Sequence, residues 1–180
     1  MSSRPVIIED YNDAWPVMFN ELKNILGIKL GELALTIEHV GSTSVPGLSA
    51  KPILDIDIVI DSMTLLPQVI GKLSELGYFH EGNLGVENRE AFARTDDIVP
   101  HNEEMNQKPK HHLYVCNKES DALQKHITFR DILRQQPDLV AAYSSLKKEL
   151  AERFTNNRTA YTDGKTHFVN TVLDKYKSIL

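Results

Sequence analysis

Cysteine is nearly missing from this 180-residue chain: Cys116 is its single copy, so no internal disulfide can form. That removes the class of small secreted scaffolds held together by disulfide staples. Tryptophan is also single, and no apolar run approaches the ~20 residues that a membrane-spanning helix needs. Positive charge is in deficit, with 20 Lys and Arg against 25 Asp and Glu and a net charge of -5. This argues against a protein that coats nucleic acid with its whole surface, while leaving room for a local basic groove around a phosphate-bearing ligand. Met1–Glu9 lacks the apolar core of a leader peptide, and the seven histidines show neither HExxH nor zinc-finger spacing. A lone thiol and no leader predict a reduced, cytoplasmic compartment, with neither a membrane nor nucleic acid as partner.

What remains is ordinary globular material, 41% apolar and 25% charged. A chain of this length buries roughly 70% of its unfolded surface on folding, so its stability needs no metal staple. Val6–Glu9 predicts a short strand or extended arm. Asn12 or Asp13 then caps a helix to about Leu30, with Trp15, Met18, Phe19, Leu22, Ile25 and Leu26 at core spacing. Leu33–His39 and Ile53–Ile60 predict strands, joined by the small, turn-forming run from Gly41 to Leu48. A helix is expected over Thr64–Leu76, ending at Gly77, and further strands over Ala91–Thr95 and Leu113–Cys116. Between those strands Asp96–Lys110 is a long polar loop. From Ser120 the pattern is helical, with breaks at Pro137 and around Asn156, Asn157 and Gly164. The expected fold class is α/β (α+β), a mixed sheet with flanking helices: a core over residues 1–118 and a C-terminal helical extension over residues 119–180.

The chemistry concentrates between positions 39 and 60. Strand alternation sends Asp55 and Asp57 to one face and Leu54, Ile56, Ile58 and Ile60 to the other. Two carboxylates ~7 Å apart along a strand repel unless a cation or donor offsets them, and a hard divalent ion does so while bridging phosphate oxygens. A half-buried strand with an acidic solvent face is the competing reading. Upstream, Gly41 permits close backbone approach to a phosphate, and the Ser42 and Thr43 hydroxyls can meet its oxygens. Lys51, Arg130, Arg134, Lys147 and Lys165 are candidate phosphate partners, though each also has a plain surface role. Gly164-Lys165-Thr166 is no P-loop, because position 159 is Thr159 and no strand precedes it. Cys116, inside an apolar strand, is expected to be a buried structural thiol.

A Gly-Ser pair followed at this interval by Asp-x-Asp resembles the nucleotidyltransferase superfamily signature, and the whole segment His39–Asp57 resembles the central motif of the GrpB family. The likeness extends to Tyr11 with Trp15, the His111-His112-Leu113 strand start, the helix Phe129–Arg134, Lys147, Tyr161 and Lys165. It implies a nucleotidyltransferase-like fold, in a family whose domain is also found joined to dephospho-CoA kinase. By that resemblance Asp55 and Asp57 would be catalytic and hold magnesium, or manganese, while Gly41, Ser42, Thr43, Lys51, Arg130 and Lys165 would bind a nucleotide or CoA-like small molecule. A third metal ligand usually comes from a neighbouring strand, where this chain has His112; Glu90 is the weaker substitute. The resemblance implies transfer of a nucleotidyl or phosphoryl group to a small acceptor, or a non-catalytic binding or regulatory module of the same fold.

Overall fold

The stripe Trp15, Phe19, Leu22, Ile25, Leu26 and Leu30 is the buried side of helix α1, Ala14–Leu30, whose start is tied by Asn12 Oδ1 accepting from Ala14 N at 2.9 Å. The computed structural model describes residues 5–105 and 108–176. Five strands follow α1: β1 (Thr36–Val40), β2 (Leu54–Ile60), β3 (Tyr78–Gly82), β4 (Arg89–Arg94) and β5 (His111–Asn117), with helix α2 (Leu66–Glu75) between β2 and β3. They form one sheet in the order β1-β2-β5-β4-β3. Its sole parallel pair is β2 with β5, and all other neighbours run antiparallel. The chain therefore has the expected α/β (α+β) architecture, a mixed sheet with flanking helices.

Several boundaries differ from the sequence expectation for local reasons. The strand expected from Leu33 begins at Thr36, because Ala34 N still bonds back to Gly31 O at 3.3 Å and the chain is still turning there. The helix expected from Thr64 begins at Leu66, after Ser62 Oγ accepts from Thr64 N at 3.2 Å and shapes a 3-10 turn. β3 has no counterpart in the sequence pattern: its Phe79 points outward, half exposed, so the hydropathy of the segment lacks the alternation that marks a strand. Val6–Glu9 is an extended arm, joined to the fold where Val6 N donates to Thr155 O and where Glu9 and Ala50 exchange hydrogen bonds, all at 2.9 Å. Part of the Asp96–Lys110 loop, positions 106 and 107, lies outside the described residues.

One sheet face carries Ile37, Ile56, Ile58, Leu113 and Val115 against α1 and α2, and this is the main core. Helices α3 (Asp121–Gln135), α4 (Pro137–Arg153) and α5 (Arg158–Tyr176) make up the C-terminal part. Leu123 of α3 packs on Val59 and Cys116 of the second face. Leu133 and Tyr143 pack on Val45 and Leu48 of the loop before β2. The break expected at Gly164 is absent: it lies inside α5, where a Cβ would come within 2.6 Å of Leu150 Cδ2. Glycine serves there as a close-packing point between helices.

Candidate functional site

Register fixes what meets Asp55 and Asp57. On β1 Glu38 lies opposite Asp57, and on β5 His112 lies opposite Asp55, so all four share one face. Each acid has a basic partner. His112 Nδ1 is 3.0 Å from Asp55 Oδ1, His126 Nδ1 is 2.6 Å from Asp57 Oδ2, and Arg130 Nη1 donates to Glu38 Oε2 at 2.8 Å. Asp57 is 0% exposed, and its second oxygen, Oδ1, has no partner. Burial alone would lower the His126 pKa, but the hydrogen bond and charge of Asp57 outweigh it and raise it. His126 and Glu38 are residues that sequence reasoning passed over.

The Gly41–Val45 turn is built to lie against Asp55. Gly41 has φ 72 and ψ -173, a region essentially closed to other residues, and a Cβ there would stand 2.3 Å from Asp55 Oδ2. Ser44 Oγ donates to Gly41 O at 2.6 Å. Arg134 donates through Nε and Nη2 to Ser44 O, at 3.0 and 2.8 Å. Thr43 is buried, its hydroxyl 2.9 Å from His39 Nε2, and the His39 ring stacks on Phe19 at 4.6 Å. Burial, with the charge of Arg134 nearby, holds His39 down to about 4, so it stays neutral at ordinary pH. The turn is thus anchored from the core and from α3.

Beside the turn lies a cavity of about 250 Å³ lined by Ser42, Thr43, Lys51, Asp55, His112 and Lys165, all of them candidates by sequence. Lys147, Arg158 and Tyr161 also line it. Lys147 is 2% exposed and its Nζ has no hydrogen-bond partner. Its ammonium stands 4.6 Å from the Tyr143 ring centroid, and Lys165 stands 4.5 Å from that of Tyr161. Burial, reinforced by the like charges of Lys165 and Lys51, pushes Lys147 down to about 7. Lys165 falls to about 8, chiefly through burial and then through Lys51. An anion entering here would relieve both.

Gly41 lines a separate cavity of about 610 Å³ on the other side of the turn, with Asn88, Arg89, His126 and Phe129. Arg130 lines neither cavity: it is occupied by Glu38, by His39 O at 3.1 Å and by Asp131 at 2.8 Å. Glu90 faces away from the aspartates and meets His80 Nε2 at 2.5 Å. Cys116 is buried, and burial raises its thiol to about 12, in keeping with a structural role.

For a hard divalent cation the donor chemistry is suitable: two carboxylates, one with a buried oxygen lacking any partner. Among the described residues no group of three His, Cys, Asp or Glu is disposed to hold a metal. Asp55 and Asp57 are thus a pair of carboxylates, and magnesium sites commonly complete such a pair with substrate phosphates and water.

The mixed sheet with its flanking helices has a nucleotidyltransferase-like fold. A structure of Cid1 poly(U) polymerase with MgGTP bound matches 80% of this chain and 44% of its own, with a TM-score of 0.54 and 14% identity. Within that class the relationship is narrower: residues 5–175 match the GrpB protein family, and the chain belongs to it. GrpB from Enterococcus faecalis superposes over 94% of this chain and 96% of its own, with a TM-score of 0.80 and 28% identity. The glutamate-rich protein GrpB of Alkalihalophilus pseudofirmus is 33% identical over 171 residues, covering 94% of this chain and 95% of that one. A shorter match, 32% over 77 residues, reaches 41% of this chain and 19% of a dephospho-CoA kinase of Mycolicibacterium paratuberculosis. Among the described residues no helix is long and apolar enough to cross a membrane.

Proposed function

We propose that the chain binds a nucleoside triphosphate, or a CoA-like nucleotide, and transfers its nucleotidyl or phosphoryl group to a small acceptor, with magnesium or manganese held by Asp55 and Asp57. The observation that carries this reading is the Lys147 ammonium, buried without an acceptor beside a turn that presses on Asp55. An enclosed, unpaired cation is unfavourable in the empty protein and becomes favourable once phosphate oxygens arrive. Lys51, Lys147, Lys165 and Arg158 take the phosphates, and Gly41 lets the turn lie close against Asp55. His126 orients Asp57, and Arg134 holds the turn in place. The cation, when bound, neutralises charge on the phosphate oxygens. A nucleotide ligand and a free buried thiol both suit a cytoplasmic setting.

One observation favours a second reading, a non-catalytic nucleotide-binding or regulatory module: Glu38, Asp55 and Asp57 each already have a basic partner. The test is incubation of the pure protein with a nucleoside triphosphate panel, magnesium or manganese, and an acceptor library. Binding is followed by calorimetry and turnover by pyrophosphate or phosphate release. Turnover in the wild type should fall by about a thousandfold or more in Asp55→Asn and in Asp57→Asn, matching the several kcal/mol that a catalytic cation supplies. Turnover unchanged in both variants overturns the transfer reading, and tight binding with no turnover selects the module.

A further inference from the structure

Continuous with the lysine cavity through Lys51, Ile53, His112 and Arg158 runs a second groove of about 540 Å³. One wall is the N-terminal arm, fixed by the Val6 bond to Thr155 O and the Glu9–Ala50 pair. Ile7 on that arm is 59% exposed, a large apolar side chain held at the groove by main-chain bonds instead of being packed away. The facing wall brings Arg94 from β4 together with Lys110 and His111. Arg94 Nη1 is buried and has no hydrogen-bond partner, and its charged neighbour Asp97 is 3.9 Å from Nη2, with its own side chain fully exposed.

His111 cannot serve Arg94 as an acceptor. Its Nδ1 donates to Pro109 O at 2.7 Å, so Nε2 accepts from the Tyr78 hydroxyl at 2.6 Å. In a chain of net charge -5, four cationic side chains, Lys51, Arg94, Lys110 and Arg158, therefore line this groove against the single acid Asp97. Such a local inversion of charge, with an unpaired guanidinium nitrogen and an apolar wall facing it, suits a ligand that is anionic at one end and apolar along its body.

We propose, resting on the transfer reading above, that this groove is the acceptor subsite and that the acceptor is a small amphipathic molecule bearing an oxyanion, a carboxylate or a phosphate. The oxyanion pairs with Arg94 and Lys110, and the apolar body lies along Ile7 and Pro52. Its nucleophilic hydroxyl then reaches the junction at His112, which is common to the groove and the lysine cavity. In the transfer from a nucleoside triphosphate, the acceptor hydroxyl oxygen forms the bond to the α-phosphorus. The bond from that phosphorus to the bridging oxygen breaks, pyrophosphate leaves with the electron pair, and the hydroxyl proton passes to water.

The test is a titration of the ¹⁵N-labelled full chain with phenylphosphonate, benzoate and neutral benzamide, read by amide shifts. One or both anions should shift Val6, Ile7, Ile53 and Lys110 and bind about tenfold or more tightly than benzamide, as expected for a hydrogen bond to a charged group. The tighter of the two anions identifies the oxyanion. Arg94→Gln and the exposed-site variant Lys110→Gln should each weaken that anion by about tenfold on the same grounds. Lys147→Met should leave it unchanged while weakening pyrophosphate binding by about tenfold or more. Equal binding of benzamide, indifference to both groove variants, or displacement of the probe by pyrophosphate overturns the subsite. Groove shifts without any pyrophosphate response would sink the transfer reading and leave the anion groove standing, whereas pyrophosphate binding without groove shifts would do the reverse.

Discussion

On one face of β2, Ile56, Ile58 and Ile60 are as completely buried as any side chain in the molecule and need only hydrocarbon around them. One residue away on the other face, Asp57 is equally buried, yet each of its oxygens calls for a donor and only one has it. The first face is satisfied by the apo chain alone. The second is left incomplete, with Asp57 Oδ1 below and the Lys147 ammonium in the cavity beside the turn. Those two groups are opposite in charge and both lack partners; among the described residues the other buried side-chain atoms in that state are Arg89 Nε and Arg94 Nη1. Buried polar groups in native proteins are nearly always paired, which makes each of these exceptions informative.

The sharpest way to break this contrast is to damage the finished face. Ile58→Ala should lower stability by about 2–5 kcal/mol, as core truncations do, with a matching fall in denaturant midpoint but unchanged pyrophosphate affinity in the folded fraction. A substitution on the unfinished side should behave in the opposite way. Lys147→Met removes a buried, unpaired ammonium and should raise stability by about 1–3 kcal/mol while weakening pyrophosphate binding by about tenfold or more. A variant that loses both stability and binding would mean that Lys147 is a structural member of the core.

The smallest effect is one of pH. Lys147 and Lys165 titrate at about 7 and about 8 in the folded chain, far below their unfolded value of 10.5. Between those folded values and 10.5 the unfolded chain binds more protons, so apo-protein stability should rise with pH across that window. Pyrophosphate affinity should fall over the lower part of it as both ammonium groups lose their charge. Thermal unfolding and calorimetry at a series of pH values check both slopes, and Lys147→Met should flatten each of them.

The aspartate pair, the Gly-Ser turn and the main strands were legible because their signals are local: a period of two, a run of small residues, a glycine where the backbone must approach a carboxylate. Lys51 and Lys165 were nameable as candidates, but their convergence with Lys147 on one cavity belongs to the packing of α4 and α5. His126 escaped because its partner, Asp57, lies 69 residues away. A signal did exist. Arg130 and Arg134 stand four apart on one helix, and one turn earlier on the same stripe stands His126. Arg130 illustrates the converse, a cation with the right spacing whose donors are already taken by Glu38, His39 O and Asp131. β3 stayed hidden because a half-exposed Phe79 contradicts the pattern of a strand facing a core.

That stripe on α3 has a mechanical consequence. Its three rungs grip Asp57, Glu38 and the carbonyl of Ser44, so a single rigid rod clasps β2, its neighbour β1 and the turn together. A shift of α3 along its axis would loosen all three grips at once, and the floor and the lip of the pocket would move as one piece. The C-terminal helices are therefore the handle by which anything bound to this half of the chain would be felt at the aspartates.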